Sequence, residues 1–187
     1  RTRGRPLVVS ATSGGGKSTI CRGMLERYSD LGLSISHTTR RPRGKERDGV
    51  DYFFVTRQDF ERMIAEGKFV EWAQVHGELY GTSRQQLESI LLSGKDALLD
   101  IDIQGGFKIK RLYPESWLVF LLPPSFDVLL ERLQKRATES EEKLRLRLQT
   151  AVSELERSLG YEYFVVNDEL EKAIEEVQNV RLGLKKK

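Results

Sequence analysis

The chain has 187 residues, of which 39% are hydrophobic and 32% charged, and its 31 basic and 28 acidic residues leave a net charge of +3. This composition excludes a disordered chain, and the length suits a single domain with small insertions. The near balance of charge gives no indication of nucleic-acid binding, and no run approaches the roughly 18 apolar residues of a membrane span. The single cysteine, Cys21, excludes an internal disulfide and fits a reducing, cytoplasmic compartment.

Short apolar segments alternate with helical patterns along most of the chain. The segment Leu7 to Val9 predicts a buried strand, and the pattern from Ser18 to about Leu31 predicts a helix that Gly32 would end. Further strands are predicted at 33–36, 52–55, 69–75, 78–81, 97–101, 117–122 and 163–166. Helices are predicted at 57–66, 84–92, 104–112 and 126–135, followed by a long helix that runs to about 159 and a last helix at 170–184. The alternation predicts an α/β fold with a parallel sheet covered on both faces.

The alternation is interrupted between residues 37 and 92, where a charged loop and short strands predict a mixed α/β insertion. Trp72 in this insertion and Trp117 outside it are both expected in the core. Ser83 is expected to cap the helix that follows it.

The segment SATSGGGKST, residues 10–19, joins the first predicted strand to the first predicted helix. It matches the phosphate-loop pattern G-x-x-x-x-G-K-[ST] except at Ala11, where a small side chain is sufficient. Backbone N–H groups at a helix start favour phosphate, Lys17 would reach the β- and γ-phosphates of ATP, and the Ser18 hydroxyl would bind Mg²⁺. The predicted ATP-binding loop comprises Ala11, Thr12, Ser13, Gly14, Gly15, Gly16, Lys17, Ser18 and Thr19. The alternative is a glycine turn with Lys17 exposed.

Two further polar features accompany this loop. Asp100 ends the apolar run ALLD and is a candidate Mg²⁺ residue, with a helix cap or a strand-end charge as the alternative. A cluster of basic residues follows Thr38 and Thr39, and guanidinium groups beside hydroxyls suit a second phosphate. The alternative is a solvated charged face. The cluster comprises Arg40, Arg41, Arg43, Lys45 and Arg47.

Several longer motifs resemble the guanylate kinase family, over about residues 6–182. They are SHTTRRPR, DGVDYFFV, FVEWAQVHGELYGTS, LLDIDIQG, FLLPPS and VVND, in this order. The resemblance implies transfer of the γ-phosphoryl group of MgATP to GMP, and to dGMP, in guanine nucleotide metabolism. It also implies a P-loop NTPase-type three-layer fold in one domain, residues 1–187. Within this domain a core (5–36, 93–135 and 149–187) would carry a GMP-binding subdomain (37–92) and a helical lid (136–148).

The resemblance also implies a role for individual residues. Arg40 and Arg43, with the hydroxyls of Tyr52 and Tyr80, would hold the GMP phosphate. The guanine would be bound by Glu71, Asp102, Ser36 and Thr82. This set suits guanine chemically, because carboxylates accept from its N1–H and N2 amine and hydroxyls donate to O6.

The remaining implied residues belong to the ATP side of the site. Arg136 and Arg147 in the lid would close over the triphosphate, with Arg132 a weaker candidate, and Asn167 would contact the adenine. ATP and GMP are the expected partners of a monomer or weak homo-oligomer. Two alternatives remain open: an inactive interaction module that binds phosphopeptides in the GMP groove, and a P-loop kinase for another small acceptor.

Overall fold

The structure, a computed structural model, describes residues 2–13, 15–136 and 140–187, with Arg136 described by its backbone alone. In these ranges the strands are β1 (Pro6–Ala11), β2 (Leu31–Leu33), β3 (His37–Thr38), β4 (Phe53–Phe54), β5 (Phe69–Val75), β6 (Glu78–Ser83), β7 (Asp96–Asp100), β8 (Trp117–Leu122) and β9 (Tyr163–Val166). The α-helices are α1 (Lys17–Arg27), α2 (Arg57–Ala65), α3 (Arg84–Leu92), α4 (Ile103–Leu112), α5 (Phe126–Arg136), α6 (Glu141–Arg157) and α7 (Leu170–Arg181).

A parallel sheet in the order β2-β7-β1-β8-β9 forms the centre of the fold, as the alternating pattern predicted. Successive side chains of a strand point to opposite faces, so Leu7 and Val9 pack with α1 and α7 while Val8 packs with α3 and α4. Both faces of the sheet are therefore covered, which explains why its strands are continuous apolar runs.

A second, mixed sheet in the order β4-β3-β6-β5 is built from residues 37–83. Helix α2 covers it, with Phe60 packed against Phe69 and Leu79 in a small separate core. Helix α3 follows β6 directly and packs Leu87 and Leu91 on the parallel sheet instead. The side chain of Ser83 accepts a hydrogen bond from the N–H of Gln86, so the predicted cap of α3 is confirmed.

The predicted end of α1 and the start of the following strand are wrong. The helix ends at Arg27, because Tyr28 takes an extended conformation, and Leu31–Leu33 then pairs in parallel with β7. Gly32 therefore lies inside a strand, where a Cβ would come within 2.8 Å of the Ile90 side chain. Tertiary pairing with β7 decides this boundary, and helical periodicity alone carries no information about it.

The expectation that Trp72 lies in the core is also wrong, since its side chain is 39% exposed. Its neighbours Glu71 and Ala73 are buried, so the alternation along β5 turns Trp72 outward. The ammonium of Lys108 lies 5.6 Å from the centre of the indole ring and its Nζ donates to the Trp72 carbonyl. Trp117 is partly buried against the core, and Cys21 is buried in α1.

Helices α5 and α6 pack against each other through Leu129, Leu133 and Ala151. Of the lid predicted at 136–148, Ala137, Thr138 and Glu139 lie outside the described residues, and Glu141 to Leu148 form the first half of α6. No helix in the described ranges combines the length and the apolar composition that a membrane crossing requires.

A buried hydroxyl pair ties the end of β1 to the end of β7. Ser10 Oγ donates to the carbonyl of Ile101 at 2.7 Å and lies 2.7 Å from the Tyr161 hydroxyl. Helix α4 approaches this pair so closely that a Cβ on Gly106 would overlap the Tyr161 hydroxyl. The glycine is therefore required by the close approach of the helix to a rigid, buried ring.

Replacing Gly106 by Ala should destabilise the protein by about 1–3 kcal/mol, because overpacking outweighs the roughly 1 kcal/mol that alanine contributes in a helix. The same change made in a Tyr161→Phe background should cost less, because the overlapping oxygen is gone. Urea unfolding of the single and double variants measures both effects. Equal costs in the two backgrounds would show that Tyr161 is not the obstacle.

Candidate active site

The glycine-rich loop leaves β1 at the carboxyl edge of the parallel sheet and leads into the first turn of α1. Thr12 is buried, and its carbonyl accepts from the N–H of Gly15 at 2.9 Å. Gly16 has φ +76 at the start of α1, a conformation that favours glycine. Gly14 lies outside the described residues. The N–H groups of the first turn of α1 therefore lie at the carboxyl edge of the sheet, where β1 ends.

Lys17 and Ser18 meet Asp100 across the sheet edge. Strands β1 and β7 pair with Val9 opposite Asp100, which brings the carboxylate beside the first turn of α1. Lys17 Nζ lies 2.9 Å from Asp100 Oδ1, and Ser18 Oγ donates to Asp100 Oδ2 at 3.5 Å. Burial disfavours the ammonium, but the charge of Asp100 and its hydrogen bond outweigh burial and raise the pKa of Lys17.

The oxygen atoms of Ser18 and Asp100 fit a divalent cation. A hydroxyl and a carboxylate are hard donors, and their separation of 3.5 Å lets one ion contact both. A small divalent cation of this kind takes its remaining ligands from water and from substrate phosphates. This pair is therefore the candidate metal site of the structure.

A cavity of about 180 Å³ opens directly beside Lys17 and Asp100. It gathers most of the side chains that sequence reasoning assigned to the acceptor: its walls include Ser36, Tyr52, Glu71, Tyr80 and Asp102. Glu71 and Tyr80 belong to the second sheet, and Asp100 ends β7 of the parallel sheet, so residues of both sheets line the cavity. Thr82 lies behind it, buried, and donates its hydroxyl to Glu71 Oε1 at 2.7 Å.

Glu71 is a buried carboxylate, with 6% of the residue exposed. Burial raises its pKa to about 7, against the stabilising hydrogen bond from Thr82, and the negative charge of Asp102 adds to the increase. A Cβ on Gly105 would come within 2.9 Å of Glu71 Oε2, so α4 packs tightly on this carboxylate. Asp102 caps α4 by accepting from the N–H of Gly105 at 3.0 Å. The two carboxylates are therefore both held in place by neighbouring elements.

A second cavity of about 550 Å³ adjoins the first and shares Ser36, Tyr52 and Asp100 with it. Arg40 and Arg43 lie in its wall. The guanidinium of Arg40 is 5.2 Å from the centre of the Tyr52 ring, whereas Arg43 is exposed. Arg41 and Lys45 are exposed as well.

A third cavity, of about 410 Å³, lies on the other side of the loop. Gly16, Thr19, Arg132 and Asn167 line it. Asn167 is buried, and its side-chain N–H donates to the carbonyl of Gly15 at 2.7 Å. The Nη2 group of Arg132 donates to the Asn167 carbonyl, while its buried Nη1 meets no acceptor among the described residues.

Neither lid arginine is among the described residues that line these cavities. The side chain of Arg136 lies outside the described residues. Arg147 is partly buried on α6, and the walls of the three cavities, as far as they are described, do not include it. Their predicted contact with a triphosphate stays a prediction.

Two contacts at the site were missed by sequence reasoning. Glu154 of α6 accepts from the backbone N–H of Ser13 in the loop at 3.2 Å, and burial raises the pKa of this carboxyl group. Glu46 pairs with Arg40. Glu154 lies 141 residues from its partner, and Glu46 stands in a run of charges that looks solvated, so neither contact has a local signal.

A parallel sheet whose first strand leads through a glycine-rich loop into a helix beginning Lys-Ser defines the P-loop class of nucleotide-binding proteins. The model of the guanylate kinase family matches residues 3–181 of this chain. The chain therefore belongs to the guanylate kinase family, whose members are ATP:GMP phosphotransferases.

Individual relatives agree with this assignment. The chain is 43% identical to the guanylate kinase of Caldanaerobacter subterraneus subsp. tengcongensis, over 99% of this chain and 90% of that protein. It is 46% identical to that of Carboxydothermus hydrogenoformans, over 95% and 87%. The crystal structure of guanylate kinase from Anaplasma phagocytophilum matches with a TM-score of 0.81 and 32% identity, over 98% of this chain and 87% of that one.

A more distant solved structure shares the fold alone. The SH3-kinase fragment of tight junction protein 3 matches with a TM-score of 0.55 at 11% identity, and the match covers 60% of that fragment. The fold is thus compatible with proteins that differ strongly in sequence, and the activity has to be argued from the side chains of the site.

The ionisation of Glu71 should make stability depend on pH. Its folded pKa of about 7 lies above the ordinary value, so its contribution is fully present below about pH 4.5 and is lost as the pH rises through 7. When the pH is lowered from 8 to 5, the free energy of unfolding of the wild-type protein should rise by up to about 3 kcal/mol relative to that of Glu71→Gln. Urea unfolding at both pH values measures this, and parallel pH profiles of the two proteins would contradict it.

Proposed function

We propose that this protein transfers the γ-phosphoryl group of Mg²⁺-ATP to GMP, and to dGMP, with the acceptor bound in the cavity between Lys17 and Glu71. One observation carries the proposal. A single cavity is lined by the phosphate-loop lysine and Asp100 together with the buried carboxylate Glu71 and the half-buried carboxylate Asp102. A purine nucleotide would place its base at Glu71 and Asp102 and its phosphate toward Lys17.

The phosphates of ATP would bind to the loop between β1 and α1. The N–H groups of Gly15, Gly16 and the first turn of α1 suit phosphate oxygens, and Lys17 would exchange Asp100 for the β- and γ-phosphates. Asn167 would support the loop through Gly15 and border the adenosine, with Thr19 in the same cavity wall.

Mg²⁺ would be held by Ser18 and Asp100 together with phosphate oxygens of ATP. When bound, it offsets the negative charge of the reacting phosphates. Both protein oxygens face the end of the loop where those phosphates would lie.

The phosphate of GMP would be held by Arg40, Arg43, Tyr52 and Tyr80. Arginine matches two phosphate oxygens at once, and the tyrosine hydroxyls add single hydrogen bonds. Tyr52 and Tyr80 lie edge to face, with 6.0 Å between their ring centres, and both line the cavity beside Lys17. The acceptor phosphate would therefore lie close to the γ-phosphate of ATP.

The guanine would be recognised where Glu71 and Asp102 line the cavity. The carboxylates of Glu71 and Asp102 would accept from N1–H and the N2 amine, and Ser36 would donate to O6. The Thr82 hydroxyl donates a hydrogen bond to Glu71. Thr82 would therefore contribute to base recognition by holding that carboxylate in place. AMP would be rejected, because its unprotonated N1 would leave a buried carboxylate without a donor. None of the proposed contacts involves the ribose 2′-hydroxyl, which is why dGMP is included.

Phosphoryl transfer requires that the protein position the two reacting phosphates and supply positive charge around them. Lys17, Arg40 and Arg43 would surround the reacting phosphates. Arg136 and Arg147 would join them when the lid, residues 136–148, closes and excludes water. In the same proposal residues 37–92 are the GMP-binding subdomain, and residues 5–36, 93–135 and 149–187 form the core. A cytoplasmic location and a monomeric or weakly oligomeric state stay predictions.

The proposal is tested by measuring ADP formation from Mg²⁺-ATP with GMP, dGMP, AMP, CMP or UMP as acceptor. GMP should be the preferred acceptor, with dGMP also used. Lys17→Ala should lower kcat at least about 100-fold, because a charge on the transferring phosphate is removed. Lys68→Ala is a matched control, since Lys68 is exposed, pairs with Glu66 and is not among the described residues that line the three cavities above.

Several outcomes would contradict the proposal. Turnover of another monophosphate in preference to GMP would place the protein among the other P-loop kinases. Binding of a phosphopeptide without turnover of GMP would favour an interaction module. A Lys17→Ala variant with near-normal kcat would refute the proposed mechanism.

The kcat/KM for GMP should fall as the pH drops below about 7, because only ionised Glu71 accepts from guanine and its free-protein pKa is about 7. The fall should approach about tenfold per pH unit. The GMP phosphate itself titrates near about pH 6. Glu71→Gln separates the two groups: it should have a lower kcat/KM at pH 8 and lose the inflection near 7. An inflection that persists in this variant would exclude Glu71 as its source.

A further inference from the structure

Glu46 holds the guanidinium of Arg40 with both carboxylate oxygens. The Nη1–Oε1 and Nη2–Oε2 distances are 2.9 and 2.8 Å, and the two side chains are only 11% and 22% exposed. This is the bidentate geometry in which arginine pairs most strongly with a carboxylate. Tyr52 lies across the flat face of the same guanidinium. Arg40 is therefore fixed both in its plane and in its direction.

Glu46 is itself anchored by the loop that carries both arginines. Its Oε1 accepts from the backbone N–H of Arg43 at 2.7 Å, and its own N–H donates to the Arg43 carbonyl at 3.0 Å. The carboxylate thus connects the side chain of Arg40 to the backbone at Arg43. A residue with these backbone bonds belongs to the loop itself and is not free to move aside when a ligand arrives.

The hydrogen bonds of Arg40 leave one edge of the guanidinium for a ligand. Three of its five N–H groups donate to Glu46 and to the carbonyl of Arg41. Nε–H and the second Nη2–H take no part in these bonds, and these two form the other fork of the guanidinium. The Tyr80 hydroxyl also interacts with the guanidinium and, after Glu46, helps to raise the pKa of Arg40. That fork matches two oxygens of one phosphate.

We propose that Glu46 is a positioning residue for the acceptor phosphate: it holds Arg40 so that the Nε and Nη2 fork points at the phosphate of GMP. The inference rests on the proposed function, because it assumes that GMP binds in the cavity. A competing role, in which Glu46 occupies Arg40 as a substitute for phosphate and must leave, is disfavoured because Glu46 does not occupy the second fork. It is also disfavoured by the backbone bonds that keep Glu46 in place.

The experiment compares Glu46→Gln with Glu61→Gln, an exposed glutamate on α2 that serves as the control. Glutamine presents an NH₂ group to the guanidinium, so the bidentate pair is lost. The KM for GMP should rise about tenfold or more, the equivalent of one charge-assisted hydrogen bond. The KM for ATP and the inhibition constant of guanosine, which has no phosphate, should stay unchanged. Glu61→Gln should alter none of these.

A double variant tests whether Glu46 acts through Arg40. GMP binding to Arg40→Ala and to Arg40→Ala/Glu46→Gln, measured by calorimetry, should be equally weak. The inference would be overturned if Glu46→Gln weakened GMP binding further in the Arg40→Ala background. It would also be overturned by an unchanged or lowered KM for GMP in Glu46→Gln, or by a loss of guanosine binding in that variant as large as the loss of GMP binding. If Glu46→Gln does not fold, Glu46→Asp replaces it, and an unchanged KM for GMP there overturns the inference as well. Absence of GMP turnover by the wild-type protein would instead refute the proposed function.

Discussion

The parallel pairing of β1 with β7 is the constraint on which the site depends. Because the two strands run in the same direction, their carboxyl ends meet at one edge of the sheet, with Val9 opposite Asp100. The chain leaves β1 into the glycine-rich loop and leaves β7 into Ile101 and Asp102. One register therefore places Lys17 against Asp100 and points Asp102 toward the second sheet. Ser10 stabilises the same edge, because its hydroxyl donates to the carbonyl of Ile101 and lies beside the hydroxyl of Tyr161.

The second sheet supplies the other wall, and it does so at an energetic cost. Burying Glu71 disfavours its charge, and the structure offsets this only in part with the hydroxyl of Thr82. Raised pKa values of this kind cluster at functional sites. In our proposal guanine supplies hydrogen-bond donors to this carboxylate, so the buried position of Glu71 contributes to selectivity for the base.

Local features could be predicted from the sequence because their causes are local. The strand–loop–helix unit around Lys17, the cap at Ser83 and the strands β5, β8 and β9 follow from glycine placement, capping chemistry and apolar runs. The predictions for Trp72 and for the end of α1 were wrong because each depends on a partner far along the chain. β7 decides where β2 begins, and the orientation of β5 decides which of its side chains face water.

The sequence by itself determined the class of the protein, since a phosphate-loop pattern and several motifs in order need no coordinates to be recognised. It also named the residues of the candidate site. Only the tertiary structure decided how they are held: Arg40 by Glu46, the loop by Asn167 and Glu154, and Asp100 by Lys17. Three of these four pairs join residues more than 80 positions apart, and their geometry depends on packing between elements, which residue order does not contain.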